Sequence, residues 1–133
     1  MGTEVIIVLR LLLAVALGGA VGYQRERAGK PAGLRTHVLI SLGAALFTVA
    51  SIYGFGPASD PARVAAGVLV GVGFLGAGII MRTGEGIVAG LTTAATMWAV
   101  AGIGLAAGAG LYVASAVATA LILIVLYLPH PIR

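Results

Sequence analysis

The stretch GVLVGVGFLGAG, residues 67–78, contains only glycine and apolar residues, and it lies in an uncharged run between Arg63 and Arg82. A helix from Arg63 to Met81 would span about 28 Å at 1.5 Å per residue, which is close to the hydrocarbon thickness of a bilayer. Glycine is also more frequent in membrane helices than in soluble ones. The stretch therefore predicts a transmembrane helix.

The composition extends this prediction to the whole chain. Of the 133 residues, 60% are hydrophobic, 9% are charged and 21 are glycine, whereas a soluble domain has about 25% charged residues. We therefore expect an all-α, polytopic helical membrane protein. One pass needs about 20 residues, so about five short passes form a single transmembrane domain over residues 1–133 and leave no soluble domain. The absence of cysteine excludes disulfides, thiolate metal sites and a cysteine nucleophile.

Polar breaks divide the chain into five predicted helices. No Lys or Arg occurs in residues 1–9, which favours a retained first helix over a signal peptide. Only GAG at 108–110 separates the last two helices. A single helix from Ala94 to Leu128 would be about 50 Å long, too long for one bilayer, so five passes are favoured over four. The predicted helices are Val5–Tyr23, Val38–Tyr53, Arg63–Met81, Leu91–Ala107 and Leu111–Leu128.

The distribution of Lys and Arg predicts the orientation, because short cytoplasmic loops carry an excess of these residues. With five passes, residues 24–37, 82–90 and the C-terminus lie on one side of the membrane. That side carries Arg25, Arg27, Lys30, Arg35, Arg82 and Arg133. The other side has only Arg63 at its edge. We therefore expect the N-terminus outside and the C-terminus in the cytoplasm.

The segment QRERAGKPAGLRTH, residues 24–37, holds five of the ten Lys, Arg and His residues of the chain. Both of its ends lie at the membrane edge, which predicts a folded cytoplasmic cap in which Glu26 pairs with Arg35 or Arg82. In that case Glu26→Gln and Arg35→Gln should damage function more than Lys30→Gln, whereas equal tolerance would reduce the segment to a topology signal. Binding of anionic lipid headgroups or nucleotides is a further reading. The candidate functional residues here are Arg25, Glu26, Arg27, Arg35, Thr36 and His37.

A second candidate group lies toward the predicted outer side. Arg10 falls inside the first helix, where a charge is costly and points to function. Its side chain either extends to the outer surface or pairs with Asp60, for which Arg63 competes. The sequence thus predicts an outer ion network of Arg10, Asp60 and Arg63. Asp60 followed by Pro61 also has the pattern of a helix start.

Glycines spaced four apart occur at 18/22, 67/71, 86/90 and 104/108, and this spacing lets helix backbones approach closely in lipid. The third helix is the richest, with Gly67, Gly71, Gly73, Gly76 and Gly78. Its glycines either pack against helices of the same chain or of a dimer, or form a wall beside a ligand or pore.

The segment LTTAATMW, residues 91–98, supplies the hydroxyl groups Thr92, Thr93 and Thr96. These threonines either cap the fourth helix and bond back to its carbonyls, or face a polar cavity together with Ser41 and Thr48 of the second helix. In helical register Thr92 and Thr96 share a face.

Several activities find no support in the residue inventory. The four carboxylates, Glu4, Glu26, Asp60 and Glu85, are too few for a rich magnesium site. No phosphate-binding loop occurs, and His37 and His130 are far apart in the sequence. We expect no catalytic residues, no metal or cofactor, no ATP hydrolysis and no nucleic-acid binding.

Three segments resemble the MgtC/SapB family of membrane proteins, and together they cover nearly the whole chain. They are GGAVGYQRERAGKPAGLRTHVLISLGAALFT (18–48), DPARVAAGVLVGVGFLGAGIIMR (60–82) and VAGLTTAATMWAVAGIGLAAGAG (88–110). The resemblance places many of the candidate residues named above, among them Arg10, Arg25, Asp60 and Thr93, on family motif positions. Tyr23-Gln24 departs from the family pattern. Many members carry a cytosolic ACT-type domain after the last helix, whereas this chain stops at Arg133.

The resemblance implies a multi-pass protein of the bacterial inner membrane that is linked to growth in low magnesium and to survival inside macrophages. Some members are described as binding the F-type ATP synthase and limiting its activity. Two hypotheses follow. The first is a non-enzymatic regulator that binds another membrane complex. The second is a small transporter or channel, with a dimer favoured, whose path is lined by Thr92, Thr96, Ser41 and the glycines of the third helix.

Overall fold

The computed structural model of the chain describes residues 2–83 and 87–128, without the side chains of residues 82, 83 and 87–89. Five α-helices account for nearly all of these residues, and the described ranges contain no strand. The all-helical membrane architecture predicted from the sequence is therefore confirmed. The helices are α1 (Thr3–Arg27), α2 (Leu34–Tyr53), α3 (Pro61–Thr83), α4 (Ile87–Gly108) and α5 (Tyr112–Leu126).

Four helices, α1 to α4, are long and apolar enough to cross a membrane. The fifth helix, α5, is apolar but has only 15 residues. It spans about 22 Å, which is less than the roughly 30 Å of a hydrocarbon core. The prediction that α4 and α5 are separate helices is confirmed, while the orientation of the bundle in the membrane stays a prediction.

The corner between α4 and α5 explains why GAG interrupts the helix. Gly110 has φ 88°, a left-handed conformation that favours glycine. The amide of Leu111 donates to the carbonyl of Ala106 at 2.9 Å, and the amide of Gly110 donates to that of Ala107 at 3.1 Å. These two bonds form a Schellman motif, which ends α4 and satisfies its last carbonyls.

The first helix extends to Arg27, four residues beyond its predicted end at Tyr23. Gln, Arg and Glu are good helix formers, so the polar residues after Tyr23 continue the helix instead of starting a loop. A second Schellman motif ends it: Gly29 has φ 71°, and the amide of Lys30 donates to the carbonyl of Arg25 at 3.1 Å. The connection to α2 is thus residues 28–33, much shorter than the predicted 24–37.

The start of α2 is capped from the end of α1. Gly33 occupies the N-cap position and has no side chain to cap the helix. Glu26 Oε1 accepts a hydrogen bond from the Leu34 amide at 2.9 Å instead. A Cβ at Gly33 would collide with the Glu26 carboxylate, so this close approach requires glycine. The predicted pairing of Glu26 with Arg35 is wrong, because the carboxylate is used as a helix cap; the Arg82 side chain lies outside the described residues.

The centre of the bundle is formed by α1, α2 and α4. Glycines bring these helices together: Gly18 lies against Ser41, Gly22 against Leu34 and His37, Gly104 against the Ser41 backbone, and Gly108 against Ala45. The glycine pairs of α1 and α4 are therefore used for packing within the chain. The apolar core around them includes Val21, Ile40, Met97, Val100, Ala101 and Ile103.

The third helix is peripheral and packs on α4 and α2. Gly76 lies against Ala94 of α4, whereas a Cβ at Gly67, Gly71, Gly73 or Gly78 would meet no atom of the described chain within 4 Å. Large side chains of α3 face outward, and Phe74 is 80% exposed. Most of this helix surface is available to lipid or to another protein.

We predict that Gly104→Ala destabilises the protein by about 1–3 kcal/mol, a typical cost of overpacking. A Cβ at this position would lie 2.9 Å from the Ser41 carbonyl carbon, so the backbones of α2 and α4 must separate. Gly102→Ala is the matched control on the same helix, because a Cβ there meets nothing within 4 Å. The thermal unfolding midpoint, followed by the fluorescence of Trp98, measures both. Equal midpoints for the two variants would contradict the packing argument.

We also predict that Glu26→Ala lowers stability by about 0.5–2 kcal/mol, because it removes the hydrogen bond to the first turn of α2. Glu26→Gln keeps an acceptor oxygen at the same reach and should retain most of the stability. The unfolding midpoints of the two variants are compared at low and high salt. This comparison distinguishes the contribution of the capping hydrogen bond from that of an ion pair, which salt would screen. A loss in Glu26→Gln as large as that in Glu26→Ala would show that the charge matters more than the hydrogen bond.

Candidate functional site

Polar side chains from three helices meet inside the bundle. They are Arg25 of α1, His37 and Ser41 of α2, and Thr93 and Thr96 of α4, and all five are buried. We call this set the polar core. Burial of polar groups among apolar helices is costly unless each group finds a partner, so its hydrogen bonds indicate what the site can do.

Helical periodicity explains the burial of Arg25. The buried residues of α1 are Ala14, Gly18, Val21, Gly22 and Arg25, at spacings of three and four. Arg25 thus continues the inward face of α1 to its last turn, and only 3% of its surface is exposed. The same spacing on α2 places His37 on one face with Ile40, Ser41 and Ala44. This three- and four-residue spacing is readable in the sequence.

A chain of hydrogen bonds links α1, α4 and α2. Arg25 Nη2 donates to Thr93 Oγ1 at 2.9 Å. The Thr96 hydroxyl donates to the Thr93 carbonyl at 2.8 Å, and His37 Nε2 lies 3.0 Å from Thr96 Oγ1. Four members of the polar core therefore form one connected network, while Ser41 bonds separately to the backbone.

The protonation of His37 decides how this network is satisfied. Its Nδ1 lies 2.9 Å from the Gly33 carbonyl, which can only accept, so Nδ1 carries a hydrogen. In the neutral ring Nε2 is then an acceptor, and the single hydroxyl proton of Thr96 must serve either Nε2 or the Thr93 carbonyl. A doubly protonated ring donates from Nε2 and leaves the Thr96 proton for Thr93. Gain or loss of a proton at His37 thus changes the hydrogen bonding of α4.

Two further buried hydroxyls of α2 bond to the backbone. Ser41 Oγ donates to the Ala14 carbonyl at 2.7 Å, and Thr48 Oγ1 donates to the Ala44 carbonyl at 2.8 Å. On α4 the buried threonines are Thr93 and Thr96, while Thr92 is half-buried. Thr92 and Thr96 share a face of α4, as helical spacing predicts, but the threonine that is fully buried beside Thr96 is Thr93.

Two polar atoms near the end of α1 have no hydrogen-bond partner in the structure. They are Arg25 Nε and Gln24 Oε1, both buried. In the part of the chain that the structure describes, no group of three His, Cys, Asp or Glu residues could hold a metal ion. The polar core is therefore cationic, with Thr93 as the only hydrogen-bond partner of the Arg25 side chain among the described residues.

Arg10 lies at the opposite end of the bundle. Its Nε donates to the Tyr112 hydroxyl at 3.0 Å and its Nη1 to the Gly108 carbonyl at 3.1 Å, and its guanidinium lies over the rings of Tyr53 and Tyr112. It therefore closes the corner between α4 and α5.

The predicted outer ion network is wrong, because α1, which carries Arg10, contacts α2, α4 and α5 but not α3, at whose start Asp60 and Arg63 lie. Asp60 lies at the start of α3, where its carboxylate accepts from the Ala62 amide at 3.1 Å, as predicted for a cap. Arg63 is an exposed residue of α3.

The predicted candidates of segment 24–37 separate into two groups. Arg25 and His37 belong to the polar core, while Arg27 and Arg35 are exposed and Thr36 is half-buried. Arg27 Nη1 donates to the Tyr23 hydroxyl at 2.9 Å, on the outer surface of the same helix. The basic segment thus contains two buried residues, Arg25 and His37, and separate exposed cations. Counting charges in the sequence did not distinguish these two groups.

A cavity of about 590 Å³ separates α2 and α3. All of its lining residues are apolar or glycine, and Gly67 and Gly71 form part of the wall on α3. A Cβ at Gly73 or Gly78 would meet no atom of the described chain within 4 Å, and neither glycine lines the cavity. The glycines of α3 therefore divide into two that line this α2–α3 cleft, one that packs on α4, and two on other open surface.

Comparison with known proteins identifies the family. The MgtC family model matches residues 11–133. YhiD of Escherichia coli K12, whose name describes it as a candidate magnesium transporter, is 46% identical over 92% of this chain and 60% of its own. SapB of Bacillus subtilis is 40% identical over 96% of this chain and 58% of its own.

MgtC of Brucella abortus is 48% identical over 90% of this chain and 49% of its own length. The chain thus spans between about half and three fifths of these relatives. No solved structure matches it. With a family model over nearly its whole length and relatives above 40% identity, this chain belongs to the MgtC family.

Proposed function

We propose that this protein is a non-enzymatic regulator of the bacterial inner membrane that binds a helix of another membrane complex in the α2–α3 cleft. The observation that carries the proposal is the cleft itself, an apolar groove of about 590 Å³ bordered by Gly67 and Gly71. The glycine pairs of α1 and α4 are covered within the chain, but this pair is not. In lipid, four-residue glycine spacing on an open helix face supports close packing of a second helix.

The chemistry of the cleft favours a helix over a polar solute. Its walls include Leu39, Phe47, Val68 and Leu75 and offer no charged side chain. Helices associate in membranes by close packing and hydrogen bonding, since lipid tails are as apolar as leucine. A partner helix with small residues or β-branched side chains would suit a groove with a glycine floor.

The proposed partner is the F-type ATP synthase, and the proposed role is to limit its activity when magnesium is scarce, including during survival in macrophages. The resemblance of the motifs to the family supports this choice, and the similarity to proteins named MgtC in Brucella is consistent with it. The basic segment at the α1–α2 end would then lie in the cytoplasm, in line with the charge distribution of the loops.

Gly71→Leu tests the role of the cleft, because a leucine side chain would fill the groove without meeting an atom of the chain at its Cβ. We expect the variant to fold normally, to lose co-purification with ATP synthase subunits, and to lose inhibition of ATP hydrolysis in inverted membrane vesicles. Gly73→Leu is the matched control, since Gly73 is equally open but does not line the cleft. Equal loss in both variants, or no inhibition by the wild type, would contradict the proposal.

A small transporter is the second candidate function, and the polar core is the observation that favours it. Three helices bring Arg25, His37 and two threonines together inside an apolar bundle, as the sites of secondary transporters do. The solute would have to suit a cationic environment, and this makes a divalent metal a poor fit.

Flux in proteoliposomes distinguishes the second function from the first. If the polar core carries solute, Thr93→Val should reduce flux at least tenfold, because it removes the hydroxyl that bonds Arg25. Thr92→Val is the control on the half-buried neighbour. Equal flux through both variants, or no flux above that of empty liposomes for phosphate or magnesium, would exclude this function.

A further inference from the structure

The feature with no role in the proposed regulation is the guanidinium of Arg25. It is 3% exposed, yet its only hydrogen bond within the described chain is to the neutral hydroxyl of Thr93. Its Nε is buried and has no partner. Buried charges in proteins are ordinarily paired, because desolvation costs several kcal/mol per ion and a neutral hydroxyl repays only part of it.

The carboxylates of the described chain do not supply the missing charge. Glu26 is bonded to the Leu34 amide and Asp60 to the Ala62 amide, while Glu4 lies in the first turn of α1, at the other end of that helix. Glu85 lies outside the described residues. His37, the other titratable member of the polar core, adds a second positive charge when protonated. The site therefore has donors and positive charge in excess.

An oxyanion matches this arrangement. A guanidinium presents five N–H groups in a planar fork, and carboxylates and phosphates accept two of them at once. In Arg25 one N–H is used by Thr93, while Nε–H and the remaining terminal N–H groups have no hydrogen-bond partner among the described residues. The adjacent hydroxyl of Thr93 and the ring of His37 belong to the same network, so binding of an anion at Arg25 would reach α4 and α2.

The position of Arg25 in α1 suits phosphate from two sources. It is two residues from the end of the helix, and the amide of Lys30 in the connecting segment donates to its carbonyl. This level, where a membrane helix leaves the hydrocarbon layer, is where lipid headgroups lie and where Lys and Arg side chains extend to the interface. Dissolved phosphate reaches the same level from the aqueous side.

We propose that Arg25, oriented by Thr93, forms an anion-binding site for a phosphate group, either inorganic phosphate or the headgroup of an anionic lipid. Binding supplies the countercharge that the described residues do not place at Nε. This site is separate from the α2–α3 cleft, so it can exist whether or not the cleft binds a partner helix.

The unfolding midpoint of the purified full chain, followed by Trp98 fluorescence, tests the site. One arm titrates sodium phosphate in detergent against sodium chloride of equal ionic strength, which controls for screening. The other arm compares nanodiscs of phosphatidylcholine with nanodiscs that also contain phosphatidylglycerol, in buffer without phosphate. A ligand that binds only the folded state raises the midpoint in proportion to the logarithm of its concentration above Kd.

Arg25→Gln should abolish the response, and Arg25→Lys, which keeps the charge but loses the fork, should weaken phosphate binding at least tenfold. Arg35→Gln removes an exposed cation at the same end of the bundle and should leave the response unchanged. If Arg25→Gln does not fold, Arg25→Lys gives the same comparison.

A response to phosphate alone identifies a site for the soluble ion, and a response to phosphatidylglycerol alone identifies a lipid site. No response of the wild type, or an equal response in the Arg25 and Arg35 variants, overturns the proposal. Neither result affects the proposed binding of ATP synthase in the α2–α3 cleft, which Gly71→Leu tests separately.

Discussion

The approach of the α2 and α4 backbones at Gly104 is the constraint on which the rest of the structure depends. Lipid tails provide no hydrophobic force that would press helices together, so close packing and hydrogen bonds must hold the bundle. At Gly104 and Gly108 the carbonyls of Ser41 and Ala45 lie where a side chain would otherwise be. α1 approaches the same region of α2 through Gly18 and Gly22. These contacts leave almost no space in the centre and fix the relative register of the three helices.

Register, in turn, makes the polar core possible. Because α1 and α4 run in opposite directions and both lie close to α2, Arg25 and Thr93 come within hydrogen-bond distance although they are far apart in the sequence. The bonds from His37 to Thr96 and from Thr96 to Thr93 follow from the same register. A change of one residue in register would turn these groups toward lipid, where a charge and three polar groups would be much more costly.

Much of the fold could be predicted from the sequence, because hydropathy and charge spacing determine which segments enter the membrane. The end of α4 was predicted to within one residue, whereas the end of α1 was placed four residues too early, because the Schellman motif at Gly29 that ends it was not recognised. Of the site, the involvement of Arg25, His37 and the threonines was predictable. The partners were not, because Arg25 reaches Thr93 and His37 reaches Thr96 across separations of 68 and 59 residues in the sequence.

The short fifth helix affects the membrane as well as the protein. A helix of 15 residues is about 8 Å shorter than the hydrocarbon layer around it. Lipids next to such a helix must compress or tilt, at a cost of fractions of a kcal/mol for each ångström of mismatch. A bilayer that matches the length of α5 must therefore thin on the side of the bundle where α5 lies. Two proteins with short spans that lie side by side share one region of thinned lipid, which costs less than two separate regions. The same mismatch favours membrane regions that are already thin.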